Sequence, residues 1–276
     1  MKNAMCKSTS PGKDLGDEPD RDPAGPAGRR DRKGLLRQWS PAPGIELCVV
    51  HIPVFLRRYL PGVEYDGKLA KPPVSLSAFS ARPWFLSSGE FDGVGRYRSL
   101  KKQVEWICGR LAAKCVVASM CHDCPPLDTI ELAYRSQGAP YVATRPDLPV
   151  SISHSGSLAG AVSTIRAGIG FDLERIRPWA LAHILPVAFS SAERRALSRA
   201  EAETVFRHWT LKEAYLKLIG KGFNESLKAV EILYGRLHHR GRPVGGVAAI
   251  QGFIDKDHLF SLIAALHSPF SHFGAA

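Results

Sequence analysis

The chain has 276 residues, of which 45% are hydrophobic, 23% charged and 9% aromatic, a globular balance that excludes wholesale disorder and collagen-like structure. Lys and Arg total 37 against 26 Asp and Glu, a net +11 that favours an anionic partner such as nucleic acid, membrane surface, nucleotide or acidic protein. No run approaches the roughly 20 apolar residues of a membrane helix, and the N-terminal MKNAMCKSTSPGKD lacks the apolar stretch of a secretory signal. Six cysteines, at 6, 48, 108, 115, 121 and 124, are too irregular for a disulfide framework. A reducing cytoplasm is the expected location.

Residues 1–34 hold 8 basic and 6 acidic side chains among Pro and Gly, and a disordered tail is expected there. Residues 45–54 read as a strand. Residues 57–83 are broken by prolines and show no clear period. Ser87-x-x-Glu90 is a capping-box pattern that opens a helical stretch over 86–117. Trp106, Leu111 and Ala113 fall at helical spacing in it, and a break is expected near Gly93 and Gly95. Residues 148–153 form a short strand ending in His154-Ser155-Gly156. Residues 159–165 and 168–174 read as a hairpin around Arg166-Ala-Gly168. A second capping box, Ser190-x-x-Glu193, precedes a long helix over 202–219, which Gly220 and Gly222 stop. The remainder alternates as strands at 229–237, 246–253 and 259–267, with a turn at Arg240-Gly-Arg-Pro243.

The two capping boxes belong to a repetition at an offset of 103 residues. Ser87/Ser190, Ser88/Ser191, Glu90/Glu193, Arg96/Arg199, Trp106/Trp209 and Lys114/Lys217 pair without a gap. This predicts a duplicated α+β unit with a ligand cleft between the halves. In that register Arg110 opposes Glu213. A basic half facing an acidic half suits a phosphate ligand bridged by a cation.

Four groups of residues could carry chemistry. Asp172 and Glu174 lie two apart on a strand and so share a face. Adjacent carboxylates repel unless a cation or proton sits between them, and hard oxygen ligands suit Mg²⁺; a solvated strand end is the plain alternative. Trp209, Glu213 and Lys217 follow i, i+4, i+8 on one helix face. Glu213 and Lys217 could be an ordinary surface pair, but a Trp on their face points them toward a core or cleft. Ser151-Ile-Ser153-His154-Ser155-Gly156 offers hydroxyl and N–H donors to an anion, and no G-x-S-x-G elbow accompanies it. Arg96, Arg98, Lys101, Lys102, Arg110 and Lys114 form either a solvated basic face or a phosphate site. Cys121-His-Asp-Cys124 is a lone CxxC with no second pair to complete a zinc site.

Taken together, Gly170-Phe-Asp-Leu-Glu174, Phe206-Arg-His-Trp-Thr-Leu-Lys-Glu-Ala-Tyr-Leu-Lys217 and Gly220-Lys-Gly222, with Ser153-His154-Ser155 upstream, resemble the Sfp-type 4′-phosphopantetheinyl transferases. Glu105-Trp-Ile-Cys-Gly-Arg110-Leu-Ala-Ala-Lys114 resembles the family's first-half helix, and the likeness covers about residues 84–267. It implies an α+β pseudodimer, with a tail over 1–34, an N-terminal half over 35–147 and a C-terminal half over 148–276. It implies Mg²⁺-dependent transfer of phosphopantetheine from coenzyme A to a serine of an apo carrier protein, by a cytoplasmic monomer needing neither nucleic acid nor membrane.

By the same resemblance Asp172, Glu174 and Glu213 would hold the metal, and Glu213 and Lys217 would be catalytic. Arg110, Ser153, His154 and Lys212 would contact coenzyme A. Many relatives carry Gly-Lys-Pro where this chain has Gly138-Ala139-Pro140, so Arg135 or Arg145 is the expected substitute for the lysine. Another Mg²⁺-dependent enzyme cleaving the coenzyme A pyrophosphate, or a basic nucleic-acid-binding protein, is the competing expectation. The carrier pathway, whether fatty acid, polyketide, nonribosomal peptide or lysine biosynthesis, stays open.

Overall fold

A computed structural model describes residues 34–61, 63 and 82–266. The tail expected over 1–34, Gly34 apart, and most of the proline-broken stretch at 57–83 lie outside the described residues.

Side-chain alternation decides which way each strand faces. In β2 (Ile45–His51), Ile45, Leu47 and Val49 point one way, and Cys48 and Val50 the other. β2 lies between β1 (Leu36–Ala42) and β6 (Leu158–Thr164), and β6 also pairs with β5 (Val150–Ser155). The first sheet is therefore antiparallel, in the order β1-β2-β6-β5. The second runs β11-β12-β7, from β11 (Val247–Phe253), β12 (His258–Ala265) and β7 (Ile169–Arg175). Ile45, Leu47 and Val49 meet Phe171, Leu173, Phe260 and Leu262 in one core between the sheets. The other face of the first sheet carries helix α3 (Leu100–Met120), and that of the second carries α6 (Ala202–Leu218). The expected α+β class is borne out, as one helix-on-sheet arrangement used twice. β5 and β6, which the sequence places after residue 147, sit in the first sheet. Among the described residues no helix is long and apolar enough to cross a membrane.

Several departures from the sequence expectation have local causes. The strand expected over 45–54 ends at His51, because Pro53 lies in the first turn of α1 (Ile52–Tyr59), where its missing N–H leaves nothing unpaired. The strand expected over 229–237 folds into β8 (Val230–Leu233) and β9 (Arg236–His239). Tyr234 and Gly235 between them adopt φ of 51° and 72°, the paired positive values of a type I′ turn. The hairpin expected around residues 166–168 does not form. Both edges of β6 are occupied by β2 and β5, so the chain crosses to the second sheet instead. The Ile165 N–H donates to Gly44 O on one side of this crossing, and the Ala265 N–H to Gly168 O on the other.

The duplication is visible as a repeated staple. Ser87 and Ser190 cap the short helices α2 (Ser88–Gly93) and α5 (Ser191–Ala196) in full capping boxes with Glu90 and Glu193. Each glutamate then receives a buried lysine from the long helix of its lobe. Lys114 Nζ donates to Glu90 Oε2 at 2.5 Å and to Phe85 O at 2.8 Å. Lys212 Nζ donates to Glu193 Oε2 at 2.8 Å and to Ala188 O at 2.6 Å. The structure thus equates Lys114 with Lys212, and corrects the ungapped pairing of Lys114 with Lys217. The glutamate and lysine are 24 residues apart in the first lobe and 19 in the second. Removing Lys212 would strand a fully buried carboxylate. Lys212→Ala should therefore lose about 3–5 kcal/mol of stability, read as a lowered urea midpoint.

Candidate active site

The site begins with a glycine. A Cβ on Gly170 would stand 1.9 Å from Ala214 O and 2.5 Å from Leu218 N, so α6 rests directly on β7. Asp172 and Glu174 follow on the same face of β7, and Glu213 and Lys217 of α6 come down over them. Lys217 Nζ donates to Asp172 Oδ1 at 2.7 Å. Ser153 of β5 donates to the same oxygen at 2.7 Å. Asp172 Oδ2 is buried and has no partner.

The opposite wall is α3. Glu105 lies 3.4 Å from Lys101 and 3.6 Å from His154 Nδ1. The His154 ring is half-exposed, and its charge environment comes from Glu105 and Lys101 on α3, Lys217 on α6 and Asp172 on β7. Desolvation lowers its pKa, against the opposing pull of Glu105. His154 therefore lies near charged residues of both long helices, beside the line where β5 and β7 meet. Glu105 was not singled out as a functional residue in the sequence, since its partner lies far along the chain and only the fold joins them.

Burial first, and then the Asp172 charge, push the Glu213 carboxyl from the usual 4.5 up to about 7, while Lys217 opposes the shift. The Trp209 indole lies beside Glu213 without a well-aligned hydrogen bond. Glu174 is pushed up to about 7 by the same two causes, with Ser155, Arg177 and Lys217 opposing. The native state therefore keeps protons that the unfolded chain releases between about pH 4.5 and 7. Stability present below that window is lost as the pH rises through it. At about 1.4 kcal/mol per pKa unit and group, metal-free protein in EDTA should lose a few kcal/mol between pH 5 and about 7.5. Urea melts across that range check the slope; a flat or rising profile contradicts the crowding.

The donor chemistry fits a hard divalent cation. The unpartnered Oδ2 of Asp172 faces no competing donor, and Glu213 and Glu174 supply the neighbouring negative charge. Among the described residues no group of three His, Cys, Asp or Glu side chains forms a ready-made metal cluster. Mg²⁺ does not need one, since it is held by one or two carboxylates with substrate phosphates and waters.

Three residues expected to contact coenzyme A are committed elsewhere. Arg110 is buried and donates to Tyr134 Oη at 2.9 Å and to Leu132 O at 3.0 Å. Its guanidinium stacks 3.6 Å from the Trp106 ring, and its Nε faces Glu90 Oε1 at 3.3 Å. It completes the first-lobe staple. Lys212 is held inside the second-lobe staple. Ser153 donates its hydroxyl proton to Asp172, which leaves it no second proton for a phosphate. Lys114 of the expected basic face is likewise buried.

Gly138 and Ala139 fall between β3 (Leu132–Tyr134) and β4 (Pro140–Val142), which Pro140 opens, and Gly138 has φ of 86°. Asn224, after α6, donates to Gln137 O at 3.2 Å and so ties this turn to the second lobe. Arg145 makes a two-pronged, solvent-exposed pair with Asp147 at 2.9 and 2.7 Å. Arg135 is exposed and stacks on Tyr141. Cys121 and Cys124 are free thiols, and Cys121 Sγ accepts from Arg145 Nη1.

Residues 168–256, which carry β7, α6 and most of the second lobe, match the model of the 4′-phosphopantetheinyl transferase superfamily. That segment is similar to the superfamily, and the curated relatives that the chain resembles include 4′-phosphopantetheinyl transferases. The chain is 36% identical over 109 residues to 4′-phosphopantetheinyl transferase psf-1 of Bacillus pumilus, covering 38% of this chain and 46% of that protein. It is 33% identical over 111 residues to 4′-phosphopantetheinyl transferase HetI of a Nostoc species, covering 37% and 46%. It is 31% identical over 122 residues to 4′-phosphopantetheinyl transferase Sfp of Bacillus subtilis, covering 42% and 52%. The chain thus spans about half the length of these curated relatives.

Proposed function

We propose that the protein is a Mg²⁺-dependent 4′-phosphopantetheinyl transferase that moves the arm of coenzyme A onto a serine of an apo acyl or peptidyl carrier protein. Adenosine 3′,5′-bisphosphate would leave. The observation that carries this reading is the buried, unpartnered Oδ2 of Asp172 beside Glu213, with Lys217 of α6 paired to Asp172 and Glu105 of α3 beside His154. Asp172 and Glu213 are the residues that would hold the metal, with Glu174 adjoining. Bound there, Mg²⁺ would neutralise the diphosphate and stabilise the charge that develops on it.

The remaining chemistry is the chain's own. Glu213 would be the group that accepts the proton of the carrier serine. Lys217 brings a fixed positive charge to the same spot, suited to the departing phosphate. His154 of β5, beside Glu105 of α3, would be the group that meets the 3′-phosphate. The surplus of basic residues would speed encounter with an acidic carrier and weaken with salt.

The test is direct. Purified protein is mixed with coenzyme A, Mg²⁺ and a panel of apo carriers from fatty acid, polyketide and peptide systems, and mass spectrometry looks for the added arm. Mass gain on one carrier supports the reading, and no gain on any overturns it. Adenosine bisphosphate released without a carrier would point instead to a coenzyme A pyrophosphatase.

A further inference from the structure

We infer that Ser153 and Ser155 are positioning residues whose hydroxyls aim the Asp172 and Glu174 carboxylates from across the junction of the two sheets. The inference rests on the metal site proposed above. β5 and β7 lie edge to edge yet belong to different sheets, with no main-chain ladder between them. Strand alternation places Ser151, Ser153 and Ser155 on one side of β5, and all three are buried. Their hydroxyls form the seam.

The three serines do different things. Ser151 Oγ accepts the Phe171 N–H at 3.0 Å, a purely backbone stitch. Ser153 Oγ donates to Asp172 Oδ1 at 2.7 Å. Ser155 Oγ accepts the Arg175 N–H at 3.1 Å and donates to Glu174 Oε2 at 2.6 Å. With Lys217 also on Oδ1 of Asp172, one oxygen of that carboxylate is pinned twice. The other is left buried and unpaired. Without the Ser153 hydroxyl, Asp172 can rotate and exchange its two oxygens at Lys217. Hydrogen bonds that orient ligating groups in this way typically govern about 10–100-fold in metal affinity. Ser151 is a control built into the same seam, buried like the other two, whose hydroxyl accepts a backbone N–H and meets no carboxylate.

The experiment titrates the full-length, metal-free protein with Mn²⁺ alone, reads free Mn²⁺ by electron paramagnetic resonance, and follows stability in urea. Ser153→Ala and Ser155→Ala are each expected to weaken Mn²⁺ binding by about 10–100-fold. Ser151→Ala is expected to lower the urea midpoint and leave Mn²⁺ affinity unchanged. Should Ser153→Ala not fold, Ser153→Cys keeps the volume with a much weaker donor and is expected to weaken binding in the same direction. Parental Mn²⁺ affinity in the Ser153 and Ser155 variants overturns the inference alone, as does an equal loss in Ser151→Ala. A parent protein that binds no Mn²⁺ removes the metal site, and the inference with it.

Discussion

Asp172→Asn should abolish transfer, by about 10²–10³-fold or more, while the protein stays folded and melts within about 1 kcal/mol of the parent at neutral pH. The two effects have one origin. Asp172 crowds Glu213 and Glu174, both already disfavoured as anions by burial. An amide removes that repulsion, although Lys217 loses its 2.7 Å partner. Lys217 is partly open to water, so its loss is cushioned. The pH profile of the metal-free variant should also flatten relative to the parent, since each glutamate titrates nearer its usual value. Transfer within tenfold of the parent would remove Asp172 from the site. A large loss of stability would show that the carboxylate is held for the fold and not for chemistry.

Gly170→Ala should be the most damaging single methyl in the second lobe. The added Cβ meets α6 backbone at 1.9 and 2.5 Å, with no flexible side chain in the way that could give. Either α6 lifts off β7, taking Glu213 and Lys217 with it, or the chain fails to fold. A loss above about 4 kcal/mol, or insoluble protein, is the expected result. Gly89→Ala is the matched control, because nothing lies within 4 Å of its Cβ position, and it should be neutral or stabilising by up to about 1 kcal/mol. Urea melts monitored by circular dichroism compare the two. A Gly170→Ala protein as stable as the Gly89 variant would contradict the close seating of α6.

Features that depend on a few neighbouring residues were legible in the sequence. The capping boxes at Ser87 and Ser190, the break at Gly93, the end of α6 and the shared face of Glu213 and Lys217 all follow from local spacing. The structure then brings Asp172, Glu174, Glu213 and Lys217 to one place. What could not be read is burial. Arg110 and Lys212 are cationic residues on helices and look the same in sequence whether they face water, a phosphate or a buried glutamate. Only the placement of Glu90 and Glu193 beneath the helices decides it. The repeat was sound at the capping boxes and slipped along the long helix, because matching letters at a fixed offset ignores a five-residue difference that the ion pairs reveal. The hairpin at residues 166–168 failed for a similar reason: a strand's free edges are a property of the whole sheet.

The crossing after β6 has a consequence for how the molecule is divided. Among the described residues every strand up to Thr164 lies in the first lobe's sheets, every strand from Ile169 onward lies in the second's, and the main chain passes between them once. Each lobe has its own staple and its own helix, and among the described residues a shared apolar core joins them. Nicked between Arg166 and Gly168, the protein becomes two polypeptides with complementary inner surfaces, so this short link is the natural site for fragment complementation or a circular permutation.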